Sequence, residues 1–201
     1  MMGTKSLALL GGKVRYEGLK EISKKPGGYL IVSNHQSLFD VCILYNMFEN
    51  AAPRFIAKKQ LGGFVPGIST CLENDGSAII DRNNPKQALA EIARFGKFIN
   101  EKGVAAIIFP EGTRARDGKM KRFKKRGLQS MLKHAPNAEI IPVAIDNSWK
   151  YAFHKLGPNP LGVAINVKVL PSIERGNKSR EEILDECESA IENALNVMRS
   201  K

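Results

Sequence analysis

The sequence predicts an α/β fold: a single domain on a mixed, largely parallel sheet flanked by helices, with its active site at the strand carboxyl ends. Three observations predict it. Short apolar runs, Tyr29–Val32 and Val104–Phe109, have the length and continuity of strands buried on both faces. Segments of helical period alternate with them, the clearest over Ile183–Met198. Several apolar runs also stop in chemically capable residues: Asn34-His35, Asp81-Arg82 and Glu111-Gly112-Thr113-Arg114. If those strands are parallel, these groups share one edge of the sheet.

In chain order, Lys13-Val14-Arg15-Tyr16 is a half-exposed first strand, and Lys24-Lys25-Pro26-Gly27-Gly28 is the turn into the second, over 29–33. Val41–Tyr45 continues as a helix, with Ser37 as N-cap and Asp40 three residues on, in the capping-box position. Arg54–Ala57 and Ser77–Ile80 are short strands on either side of the Gly62–Gly67 loop. Asn84-Pro85 opens a helix with cap and N1 proline in the preferred order, and Ala88, Ile92, Phe95 and Ile99 make its apolar face. Pro110 ends the central strand. Glu139–Ile145 is strand-like, with Pro142 implying a bulge or an edge. Gly162–Leu170 alternates, with Val163, Ile165, Val167 and Val169 on one side. Ser179 and Glu182 cap a last helix whose stripe (Ile183, Leu184, Cys187, Ala190, Ile191, Ala194, Leu195, Met198) places Cys187 in the core.

The 201 residues suit one domain without repeat or linker, long enough to bury roughly 70% of the unfolded surface. The net charge of +11 calls for an acidic partner: nucleic acid, anionic lipid or a phosphorylated small molecule. Three widely spaced cysteines, Cys42, Cys71 and Cys187, suggest neither a zinc site nor a disulfide framework, and fit a reducing compartment. No apolar run approaches the roughly 18 residues that span a bilayer, and Leu7–Leu10 is too short for a signal-peptide core.

His35 and Asp40 are the centre of the chemistry. On a continuous helix their spacing would turn them about 140° apart, so they meet only if His35 lies in the turn and Asp40 in the first helical turn. An imidazole whose tautomer is fixed by a carboxylate is a general base. No nucleophile accompanies it. Cys42 sits among Val41, Ile43 and Leu44 and reads as core, while His134 and His154 lie in polar segments that read as exposed. A base without an enzyme nucleophile suits direct transfer, in which a substrate hydroxyl attacks an activated acyl group. A thiol hydrolase using Cys42 with His35 is the alternative catalytic reading.

From residue 109 to 126 eight cations, Arg114 through Arg126, face Glu111 and Asp117, a balance of +6. Arg114, anchored by Glu111 across Gly112, would grip a phosphate bidentately, and most of the later lysines read as a solvated basic loop. Nucleic-acid binding competes for this charge. However, Phe123 is the one aromatic within the basic run, and no module signature is present. An anionic membrane surface explains the charge more economically.

Asn34-His35-Gln36-Ser37-Leu38-Phe39-Asp40 resembles the His-x4-Asp motif of the glycerophospholipid acyltransferases, and Phe109-Pro110-Glu111-Gly112-Thr113-Arg114 their second signature. Gly76–Arg82 is similar to the family's Gly-x-Ile-x-Ile-Asp-Arg block, and Ile141–Ile145 to its Val-Pro-Val-x-Ile block. The four occur in family order over about residues 14–146, leaving a C-terminal strand and amphipathic helix over 162–199. In pattern the chain is nearest the 1-acylglycerol-3-phosphate acyltransferases. The resemblance implies catalysis by His35 with Asp40, and a glycerol-phosphate site of Arg82, Glu111, Gly112, Thr113 and Arg114. It also implies a substrate and acyl-chain loop carrying Phe64, Pro66 and Gly67. The donor would be a thioester of coenzyme A or acyl carrier protein and the acceptor 1-acylglycerol-3-phosphate, giving phosphatidic acid, with another lysophospholipid or a lyso-aminolipid as the alternative acceptor and no cofactor, metal or nucleic acid. Gln60 stands where many members carry Glu, and Ala115 replaces a common Ser. The hydrophobic N-terminal anchor of many members is missing, so the expectation is either a peripheral protein on the cytoplasmic side of the membrane or a shortened form. Met1–Gly12 would then be a weak amphipathic contact.

Overall fold

In a computed structural model the described residues are 13–18, 22–58, 76–81, 83–151 and 163–200. Among them seven strands form one sheet: β1 (Lys13–Glu17), β2 (Tyr29–Ser33), β3 (Arg54–Lys58), β4 (Ala78–Ile80), β5 (Ala105–Ile108), β6 (Glu139–Asp146) and β7 (Ala164–Val169). Four helices accompany them: α1 (Phe39–Met47), α2 (Pro85–Lys102), α3 (Lys125–His134) and α4 (Arg180–Arg199). The strand order is β1-β7-β6-β2-β5-β3-β4. Every neighbouring pair is parallel except β6 with β7. The mixed, largely parallel α/β fold read from the sequence is the fold observed.

The central strands are apolar throughout because both of their faces are covered. Leu30 and Val32 of β2, with Ala106 and Ile108 of β5, pack on Ile92, Phe95 and Ile99 of α2, Leu128 and Met131 of α3, and Ile183, Cys187 and Ile191 of α4. Tyr29, Ile31, Ala105 and Ile107 face the opposite way, against Phe39, Ile43 and Leu44 of α1. Cys187 is thus core as expected, and burial pushes its thiol up to about 12.

The expected caps of α2 and α4 form. Asn84 Oδ1 accepts the N–H of Gln87 at 3.1 Å ahead of Pro85, and Ser179 and Glu182 bond each other reciprocally. α2 ends at Gly103 with φ +67°, where a Cβ would lie 2.3 Å from the Lys25 carbonyl oxygen, so a residue without one is required.

Three local expectations change, and the bulge-or-edge alternative at Pro142 resolves to the bulge. The Ser37 box is half formed. α1 begins at Phe39, and Asp40 accepts the Ser37 N–H, but Ser37 Oγ accepts from Phe39 rather than from Asp40. Residues 125–134, read as the end of a basic loop and its sequel, are helix. Leu128, Met131 and Leu132 carry its buried stripe, a spacing visible in the sequence but masked by the surrounding cations. Pro142 lies on an interior strand, not an edge. Its carbonyl accepts the N–H of Leu170, and between Val143↔Val169 and Ile140↔Ile173 the β7 side carries one extra residue, the bulge that accommodates the missing N–H. His134 is half-buried, not exposed, with Nδ1 bonded 2.8 Å from the Ser130 carbonyl.

Candidate active site

β2, β5, β3 and β4 are adjacent and parallel, so the three reactive strand ends do share one edge. β2 is held there by Asn34, whose buried amide mimics a strand residue. Its Oδ1 accepts the Ile145 N–H and its Nδ2 donates to the Ile145 carbonyl, both at 2.8 Å.

The next residue is His35. Its N–H donates to Glu111 Oε1 at 2.7 Å and its carbonyl accepts the Ala115 N–H at 2.7 Å, so the loops after β2 and β5 are stitched together on both sides of the histidine. The imidazole stacks on Phe109, centroids 4.1 Å apart and planes at 20°. Its Nδ1 lies 2.9 Å from Asp40 Oδ2, and the same oxygen accepts the N–H groups of Gln36 at 2.6 Å and Ser37 at 2.8 Å. Asp40 is fully buried, whereas the His35 side chain keeps 15% of its surface exposed. A carboxylate only accepts, so Nδ1 carries the proton and Nε2 keeps its lone pair. This is the arrangement that a general base with a fixed tautomer requires.

Glu111 does something the sequence did not foresee. It is buried, and its oxygens accept the backbone N–H groups of His35 and, at 2.9 Å, of Lys121. Burial pushes its carboxyl up, and those two amides oppose the rise. Among the described residues it makes no ion pair with Arg114, so the anchored-guanidinium expectation is corrected. The carboxylate joins two loops because amides, unlike a guanidinium, are already fixed there. Arg114 is half-buried, and its guanidinium has no hydrogen-bond partner among the described residues. Gly112 takes φ +69°, and a Cβ there would meet Lys124 Nζ at 3.2 Å, so one of the lysines read as loop solvation lies against the signature. Thr113 is exposed beside it. Asp81 follows β4 on the same edge, two strands beyond β5. Arg82, Phe64, Pro66 and Gly67 lie outside the described residues.

Cys42 is half-buried, and burial is the largest influence raising its thiol, which disfavours a thiolate. Residues that sequence reasoning missed are Phe109 as a stacking plate, Lys124 against Gly112, and a network behind the histidine formed by Gln36, Asp146, Ser148 and Arg199. Phe109 and Gln36 carried a signal, their places inside the second and first motifs.

Residues 13–146 match the family model described as Acyltransferase. The chain is similar to the 1-acyl-sn-glycerol-3-phosphate acyltransferase of Pseudomonas aeruginosa, 35% identical over 69% of this chain and 51% of that protein. Its counterpart from Saccharomyces cerevisiae is 26% identical over 95% of this chain and 61% of that protein. The chain therefore spans between about half and three-fifths of the length of these relatives. The crystal structure of the 1-acyl-sn-glycerophosphate (LPA) acyltransferase, PlsC, from Thermotoga maritima superposes with a TM-score of 0.81 at 27% identity, covering 99% of this chain and 77% of that one.

Proposed function

Because the chain belongs to the Acyltransferase family, we propose that it transfers a fatty acyl group from a thioester to the free hydroxyl of 1-acylglycerol-3-phosphate, giving phosphatidic acid. The observation that carries the reading is the His35–Asp40 pair, its Nε2 without a hydrogen-bond partner among the described residues, beside the Glu111–Arg114 loop. His35 Nε2 takes the proton of the acceptor hydroxyl, and the oxygen attacks the thioester carbonyl. The tetrahedral intermediate then expels the thiolate, which recovers the proton from the imidazolium. Asp40 stabilises that cation and holds the ring. No acyl-enzyme forms, in keeping with the raised Cys42 thiol.

The acceptor phosphate rests on Arg114, with Gly112 and Thr113 beside it, and the resemblance of the Gly76–Arg82 block assigns Arg82 to the same phosphate. The same family resemblance assigns Phe64, Pro66 and Gly67 to the acyl chain. Glu111 serves this site by fixing its loops. The donor is a thioester of coenzyme A or of acyl carrier protein, and no cofactor is required because the thioester supplies the driving force. Among the described residues no helix is long and apolar enough to cross a membrane. The excess of cations supports a peripheral position on an anionic surface, on the cytoplasmic side.

A panel of lyso-acceptors against both donor classes, with product lipids read by mass spectrometry, tests this. Phosphatidic acid formed by the wild type and lost in a folded His35→Ala variant is expected. Undiminished transfer by that variant would overturn it, and a product from a different lyso-lipid alone would reassign the acceptor.

A further inference from the structure

We infer that Arg199, in the last turn of α4, is a positioning residue for the proton transfer, acting through Gln36 on the loop that carries His35. The inference rests on the reading of His35 as base.

Gln36 is buried between the two members of the pair. Its N–H makes the shortest of the three bonds to Asp40 Oδ2, 2.6 Å, so its position helps to set where that carboxylate sits. Its side chain reaches the end of β6 and the loop after β5. Oε1 accepts from Ser148 Oγ at 3.3 Å, and Nε2 donates to the Gly118 carbonyl at 3.3 Å and to Asp146 Oδ1 at 3.4 Å. The two acceptors of Nε2 are the same two that Arg199 grips. Arg199 Nη2 lies 2.7 Å from Gly118 O and 2.7 Å from Asp146 Oδ1, and Nε lies 3.2 Å from Asp146 Oδ2. One guanidinium thus clamps the end of β6 to the loop after β5, at the separation which the Gln36 amide spans.

The guanidinium bonds are the short ones, and the amide bonds follow from them. Asp146 is almost wholly buried. Burial opposes its ionisation, yet Arg199, helped by Gln36 and the Asn147 N–H, holds its carboxyl below the usual range. Without that cation the buried carboxylate is left with neutral partners, a costly state that it relieves by turning toward water. It then leaves the Gln36 amide, and the backbone N–H on Asp40 shifts with it. Proton transfer is sensitive to sub-ångström placement, a 1 Å error costing about a hundredfold. Arg199 lies beyond the family-matched residues 13–146, so the C-terminal helix adds a support that the motifs do not contain.

The test compares wild type with Arg199→Met, Gln36→Leu, their double variant and His35→Ala, at a temperature where circular dichroism shows each to be folded. Arg199→Met is expected to lower kcat per folded molecule, normalised to the native fraction read by circular dichroism, roughly tenfold with KM for both substrates within about twofold, whereas a loss of folded protein alone would vanish on that normalisation. The double variant should be no slower than Gln36→Leu alone, because both act on one path. Wild-type kcat in Arg199→Met, or losses that multiply in the double variant, would overturn the inference. If Arg199→Met does not fold, Arg199→Lys, which cannot grip both acceptors in the same fork, replaces it. A several-fold loss of kcat is then expected, and full kcat overturns the inference. Transfer that survives in His35→Ala would instead remove the catalytic reading itself, so the two failures are distinguishable.

Discussion

Oδ2 of Asp40 receives the imidazole Nδ1 of His35 at 2.9 Å together with two backbone N–H groups, while its buried Oδ1 has no hydrogen-bond partner among the described residues. One oxygen therefore both fixes the ring and closes the loop. The two tasks can be separated by substitution. Asp40→Asn can keep the accepting oxygen and place its amide where Oδ1 has no donor to lose, so the fold should persist. The charge that stabilises the imidazolium is gone, and kcat should fall roughly 10²- to 10⁴-fold. Asp40→Ala should lose activity and also about 2 kcal/mol of stability from the orphaned amides, read by urea unfolding.

Phe109 supports the ring from its face. Phe109→Leu keeps bulk but loses the aromatic pair, worth about 0.5–1.5 kcal/mol. If the stack serves to hold the base, kcat should drop roughly 2- to 12-fold with KM little changed.

Arg114, whose guanidinium has no hydrogen-bond partner among the described residues, lies in the loop after β5 where it can meet a phosphate. Arg114→Ala should raise KM for 1-acylglycerol-3-phosphate roughly tenfold or more, as expected for a charged hydrogen-bonding partner of about 1.5–3 kcal/mol. Transfer to a phosphate-free acceptor should not respond. Steady-state kinetics with the two acceptors make the comparison.

Glu111 carries a pH signature. Its folded pKa is raised, chiefly by burial, so between the unfolded value and the folded one the native state binds more protons than the unfolded chain. Its contribution to stability is therefore greatest below the unfolded carboxyl pKa and declines as pH rises through the folded value. Glu111→Gln has no such proton to lose. The stability gap between wild type and Glu111→Gln, from urea unfolding at intervals from about pH 4 to 7, should shift against the wild type as pH rises.

Much of this was legible from order along the chain. The β2 and β5 runs, the α4 stripe with its Ser179–Glu182 box, and the requirement that His35 sit in a turn ahead of Asp40 depend on neighbours within a few residues, and local periodicity and capping chemistry report such neighbours. α3 was legible too, but its three buried apolar residues were outweighed by the cations before them.

What the sequence by itself determined is the fold class, the family motifs and the meeting of His35 with Asp40, because each is written in spacings of one to five positions. What only the tertiary structure decided is who partners whom across the sheet. Glu111 meets the His35 amide 76 residues away instead of Arg114 three residues on, and Asp146 meets Arg199 across 53 residues. The placement of β2 between β5 and β6 sets those encounters. Strand order follows from the packing of all the helices at once, a global minimum that no local spacing encodes. Buried carboxylates then pair with whichever fixed donors that order brings within reach.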